Sequence, residues 1–301
     1  MRSLTFFALL APICLGYGCS NGSDALQSIQ LRASGIEPLA AGYHYEAWAV
    51  IDGSPVTLAK FNVDLSQAIT DLEGFAIRDG IVDTQRDLEV SSGFLITIEQ
   101  PGDMDITPSD STYLSGLLVD GGAELTTAGE LAFDDSFADA TGRYFLATPT
   151  DGNMDRDETS GVWFFDISTD PVSSGLTLPE LPIGFVYEGW AVIDGMPITT
   201  GRFTSSVVAD QSAPFSATVA PGPNFPGEDF LINAPSGLAF PTDLSTMRVV
   251  VSIEPEPDDS PSPFTLKLLV ADVQANAADR QTFAMDNNHE AFPSISVDLL
   301  P

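Results

Sequence analysis

The 301-residue chain carries 43 acidic against 11 basic side chains, a formal net charge of −32, with 44% hydrophobic residues and two cysteines. That balance argues against nucleic-acid phosphate or anionic lipid headgroups as electrostatic partners, and the apolar content argues against a disordered chain. The acids are spread along the chain, as expected of a solvated surface suited to high salt, where screening relieves self-repulsion.

Residues 1–18 read as an export signal: Arg2 supplies the positive start, and Leu4 to Leu15 is an apolar run too short for a permanent membrane span. Gly18-Cys19 after that run is similar to a bacterial lipoprotein signal, in which Cys19 becomes the lipidated first residue, and residues 19–28 form a polar tether. Cys14 would leave with the signal and Cys19 would carry lipid, so the mature chain is expected to have no disulfide and no thiolate chemistry. The expected location is the bacterial cell envelope, exported and membrane-anchored through lipid.

One stretch then appears twice. Tyr45-Glu46-Ala47-Trp48-Ala49-Val50-Ile51-Asp52-Gly53-Ser54-Pro55 returns as Tyr187-Glu188-Gly189-Trp190-Ala191-Val192-Ile193-Asp194-Gly195-Met196-Pro197. Tyr45, Ala47, Ala49 and Ile51 fall on one face of an extended chain, and Glu46, Trp48 and Val50 on the other. Asp-Gly is a tight-hairpin signal, and Val56–Val63 and Ile198–Val207 are the expected return strands, matched at Lys60-Phe61 and Arg202-Phe203. The chain therefore divides into a first β repeat over 29–142, a connecting β-hairpin over 143–173 and a second β repeat over 174–301. Apolar runs at Ser92–Glu99 and Val249–Glu254, each followed by a Pro-rich loop, add further strands. Only 271–281 has the composition of a short helix. The fold class expected is all-β: two tandem antiparallel β-sandwich-like, Ig-like modules.

Tyr187-Glu188-Gly189-Trp190, with Ser252-Ile253-Glu254-Pro255 and Pro261-Ser262-Pro263, resembles the extracytoplasmic C-terminal domain of anti-sigma-K factors. Tyr45-Glu46-Ala47-Trp48 with Ile98-Glu99 repeats the pattern, with Gln100 before the proline and a longer loop. The resemblance implies a β-rich sensory or regulatory module without catalytic residues. The helical sigma-binding part and the membrane helix of that family have no counterpart here.

Parts for catalysis are scarce. His44 and His289 are the only histidines, and neither lies in a hydrolase or zinc-protease motif. Glu46 with Trp48 and Glu188 with Trp190 share strand faces, where a carboxylate beside an indole would make a binding platform; the plainer reading is packing. Asp151, Asn153, Asp155 and Asp157 place oxygen donors at alternate positions, like the start of a calcium loop, but Arg156 replaces the turn glycine and Val162 the last ligand. A solvated acidic loop is the default there, and calcium the only cofactor raised. The function expected is a non-enzymatic envelope binding, sensing or scaffolding lipoprotein with an unidentified envelope protein or ligand as partner. The alternative is a secreted or surface carbohydrate-active hydrolase using paired carboxylates.

Overall fold

The computed structural model describes residues 27–84, 86–152, 156–257 and 260–300. Among these the protein is all-β, with three short 3-10 turns and no α-helix. Among the described residues no helix is long and apolar enough to cross a membrane.

The strands of the first repeat are β1 (Gln27–Ser34), β2 (His44–Ile51), β3 (Ser54–Val63), β4 (Ile69–Thr70), β5 (Ile81–Thr84), β6 (Ser91–Glu99), β7 (Thr112–Leu117) and β8 (Gly122–Leu125). Then come β9 (Thr141–Leu146), β10 (Gly161–Trp163), β11 (Phe165–Asp166), β12 (Ser173–Ser174) and β13 (Leu176–Thr177). The second repeat holds β14 (Phe185–Ile193), β15 (Met196–Phe203), β16 (Gly227–Asp229), β17 (Arg248–Pro255), β18 (Lys267–Asp272), β19 (Phe283–Asn287) and β20 (Ser294–Leu300).

The duplication is visible in the sheet order. In one sheet the strands run β4-β3-β2-β6-β7, and in another β15-β14-β17-β18 repeats the order β3-β2-β6-β7 before continuing through β19, β9, β10 and β16. Both signature hairpins close on two residues, Asp52-Gly53 between the paired Ile51 and Ser54, and Asp194-Gly195 between Ile193 and Met196. All four turn residues have positive φ, from 51° to 82°. That is the primed turn whose twist matches the flanking strands, and it explains the Asp-Gly pair at both tips. Each hairpin also carries a β-bulge at the same place, before Trp48 and before Trp190.

The connecting segment forms the expected strand pair, with Leu146 opposite Val162 in β9 and β10. It does not stand apart, because β9 also pairs with β19 and β13 and so belongs to the sheet of the second repeat. The expectation of a short helix over 271–281 is corrected: Ala271 and Asp272 end β18, paired with Val249 and Arg248. Beyond them a single turn closes from Ala277 N–H to the carbonyl of Gln274, 3.0 Å away. Cross-strand pairing and burial of Val273 outweigh the weak helical preference of a few alanines.

The repeats share one hydrophobic core, which runs from Ile29 and Tyr45 through Tyr113 and Phe185 to Ile295 and Val297. Phe61, Tyr45, Tyr113 and Phe264 form a continuous aromatic row across the boundary, with centroid spacings of 5.6, 5.8 and 5.3 Å. Phe133 meets Phe185 at 4.5 Å. Aromatic pairs of this kind add about 0.5–1.5 kcal/mol each beyond the area they bury. A small sheet, β5-β1-β20-β8, closes the molecule by pairing β1 with β20.

Candidate functional site

In both repeats the signature residues are turned inward on each other. Glu46 is fully buried, Trp48 likewise, and Glu188 and Trp190 are 5% and 3% exposed. The indole N–H of Trp48 donates to Thr97 Oγ1 at 2.9 Å, and the Thr97 hydroxyl donates to Glu99. Glu99 in turn accepts the backbone N–H of Ser109 at 3.1 Å. The second repeat reproduces the chain of bonds: Trp190 donates to Ser252 Oγ at 2.8 Å, Ser252 to Glu254, and Glu254 accepts Phe264 N–H at 3.0 Å. These relays pin the loop leaving β6, or β17, back over its own sheet. The second face of the signature strand is therefore covered, and none of the four residues forms an exposed platform.

Beside each relay lies an ion pair across the hairpin. Glu46 accepts from the hydroxyl of Thr57 and pairs with Lys60 Nζ at 3.3 Å. Glu188 accepts from Thr199 at 2.5 Å and pairs with Arg202 Nε at 3.0 Å. Burial raises the Glu46 carboxyl above its ordinary range, opposed by the Thr57 bond and by Lys60. Tyr45 and Tyr187 complete the match, each donating its hydroxyl to a carbonyl eight residues back, Glu37 at 2.9 Å and Pro179 at 2.8 Å.

The copies differ at one end of the hairpin. His44 in the first is replaced by Val186 in the second, each opposite a glutamate, Glu99 and Glu254. One imidazole nitrogen of His44 and one carboxylate oxygen each of Glu46 and Asp103 lie within 4.8 Å of one another. Among the described residues this is the single cluster of three or more metal-donor side chains. Lys60 sits in it, donating to Asp103 Oδ2 at 2.7 Å and to the Asp103 carbonyl at 2.8 Å.

Two cavities of about 630 Å³ stand out, one on the repeated sheet of the first copy and one beside a loop of the second. The first, apolar, rests on β2, β6 and β7 and is lined by Val50, Leu95, Pro55, Pro108, Leu117 and Leu131. The second is formed by the loop between β15 and β16 and includes Trp163, Phe225, Thr150, Ser216 and Asp210. Two buried acids, Asp229 and Glu228, and the half-buried Asp210 staple that loop. Asp229 accepts the N–H and the hydroxyl of Thr150, and Thr150 Oγ1 accepts Ala217 N–H at 2.8 Å. Glu228 Oε1 accepts the N–H groups of Phe215 and Ser216 at 2.6 and 3.0 Å. Asp210 Oδ2 accepts Gly227 N–H at 2.9 Å. Burial pushes Asp210 up to about 7 and Glu228 up to about 8, the latter helped by its acidic neighbours Asp210 and Asp229.

Of the calcium-loop residues, Asn153 and Asp155 lie outside the described residues, as does Cys19. Asp151 is buried at the end of a 3-10 turn, and the carbonyl of Asp157 accepts Ser160 N–H at 2.8 Å. Sequence reasoning did not single out Asp210, Glu228 or Asp103. The replacement of His44 by Val186 between the matched hairpins is a signal that could have drawn attention to His44, though nothing in it names Asp103.

No family model, no curated protein and no solved structure matches this chain.

Proposed function

We propose that the protein is a non-enzymatic extracytoplasmic lipoprotein, tethered through Cys19, that acts as an envelope binding, sensing or scaffolding module. In this reading it is related to the outer domain of anti-sigma-K factors. The observation that carries the proposal is the division of labour between frame and loops. Both repeats spend their signature acids, indoles and hydroxyls on the same internal relay. One cavity is built from the loop between β15 and β16, and the other is seated on the first repeated hairpin at Val50 and Pro55 and flanked by Pro108 and Leu131 from outside it. A rigid repeated frame presenting unlike loops is how binding domains diversify.

The hydrolase alternative draws on the acids around Asp210 and Glu228. Glycosidic cleavage needs two carboxyls facing the sugar, and of this group only Asp210 lines the cavity. Glu228 and Asp229, both fully buried, hold backbone and side-chain donors behind it. This geometry favours a loop-stapling role for the acids.

The test is site-specific photo-cross-linking in cells, with a photoreactive residue at Leu131 or Pro221 on the cavity rims and at Asp194, on the hairpin tip that lines neither cavity, as control. A discrete adduct from a rim position and none from Asp194 is expected. Equal labelling at all three positions would count against the proposal, and sugar release from envelope glycans by the purified protein would favour the hydrolase. Intact mass of the membrane-extracted chain beside Cys19→Ser tests the tether: a diacylglyceryl-sized increase lost in the variant is expected.

A further inference from the structure

We propose that His44, Glu46 and Asp103 form a binding site for a divalent transition metal of the zinc class, for which the Lys60 ammonium acts as an internal competitor. The three donor atoms already lie within 4.8 Å of one another. Zinc ligands at about 2.0–2.2 Å from the ion require only a modest contraction of such a group.

The second observation is the state of the histidine. His44 is 3% exposed and its Nε2 has no hydrogen-bond partner. The ring bonds instead to the backbone of Gly42, which leaves that bond to Nδ1. Metal-binding histidines are commonly oriented this way, one ring N–H on a carbonyl and the other nitrogen's lone pair left for the ion. A buried nitrogen with no partner loses its hydration without compensation, so the arrangement has a physical cost that a metal would remove.

The donor set decides the class of ion. One imidazole nitrogen and two carboxylate oxygens suit zinc and its neighbours in the first transition row, whereas calcium asks for six or more oxygens. Three protein ligands with an open fourth position match the zinc pattern that retains water. Glu99, 3% exposed and opposite His44, adds negative charge behind the site.

Among the described residues Lys60 is the one cation paired with these acids, held by Asp103 at 2.7 Å and Glu46 at 3.3 Å. Its side chain is 26% exposed, so the flexible four-carbon stem has a route for its hydrated ammonium into solvent. Exchange of one ammonium for a divalent ion neutralises both carboxylates. In the second repeat, Val186 removes the nitrogen donor and Arg202 closes on Glu188, so the site belongs to the first repeat alone.

The chain has only two histidines, which makes the test direct. Imidazole ¹H–¹⁵N spectra of the full chain are recorded as zinc chloride is added. The His44 signals should move to a metal-bound position and saturate at one equivalent, with those of His289 unmoved. Lys60→Gln should tighten binding by roughly tenfold, because the competitor that keeps the competent state minor is gone. His44→Gln should abolish the one-equivalent site. His44 signals that stay in place under excess zinc in the wild-type chain overturn the proposal, whether or not Lys60→Gln folds. So does undiminished one-equivalent binding in His44→Gln, which would assign the zinc to surface carboxylates.

Discussion

Lys60 places its ammonium 3.3 Å from an oxygen of Glu46 that no solvent reaches. A buried pair of this kind adds little net stability, but loss of one partner strands the other's charge. Lys60→Met is expected to destabilise the protein by about 2–4 kcal/mol in a denaturant titration. Lys60→Met with Glu46→Gln should recover most of that loss, since a neutral amide needs no counter-ion. A double variant no more stable than the single one would show that the lysine acts through packing of its stem.

The relays predict an asymmetry between removing and replacing. Ser252→Ala leaves both the Trp190 N–H and the Glu254 carboxylate without their shared hydroxyl, and should cost about 2–4 kcal/mol as two buried groups lose a partner. Trp190→Phe removes a donor and leaves the hydroxyl still bonded to Glu254, so the hydrogen-bond part of its cost should be nearer 1 kcal/mol. Thr97→Val and Trp48→Phe in the first repeat should rank the same way if the two relays are equivalent. Chemical unfolding of the four variants checks the order.

The acids behind the second cavity give a pH dependence of definite sign. Folded Glu228 holds its proton up to about pH 8 and Asp210 up to about pH 7, whereas the unfolded chain releases both near pH 4. Between those limits the folded state binds more protons, so this contribution to stability is complete below about pH 4 and is lost as pH rises through 7 to 8. Glu228→Gln, which imitates the protonated acid, should flatten the fall in Tm between pH 5 and 8.5 relative to the wild-type chain. Unchanged slopes would mean that Glu228 ionises without penalty.

The charge balance predicts a salt response. Ion pairs are few against a formal charge of −32, and the exposed ones, such as Arg248 with Asp272 at 2.7 Å, are worth little individually. Raising sodium chloride from 0.1 to 1 M shortens the screening length from about 10 to about 3 Å. Tm is expected to rise with it, and more than with an uncharged osmolyte of equal osmolality. A flat or falling Tm would remove the high-salt reading of the acidic surface.

The duplication, the strand class and the Asp-Gly hairpins were legible because each is local. A period of two, a turn with positive φ and an eleven-residue echo all lie within short windows. Packing of Trp48 was the plainer reading of the sequence, but the full burial of Glu46 was not legible, because alternation in β2 identifies two faces without saying what covers the second. The cover is the loop held by Glu99 on Ser109, a contact between residues ten apart whose geometry depends on the sheet beneath. The Asp210–Glu228 group was further out of reach. It exists only because the loop after β15 folds back, with Gln211 N–H on the Arg202 carbonyl at 2.9 Å, and nothing periodic marks such a return.

The pairing of Ser28 with Leu300 across β1 and β20 bears on the life of the protein before it is finished. A strand whose partner lies this far along the chain cannot settle until that partner has been delivered. Loop closure over such a separation adds only modest entropy, yet contacts this remote in sequence slow the approach to the native state. Until β20 arrives, β1 and β5 present an open strand edge of the kind that captures other chains. Interrupted delivery before β20 would therefore leave a species prone to self-association, and β20 serves as the latch that covers the free edge of β1.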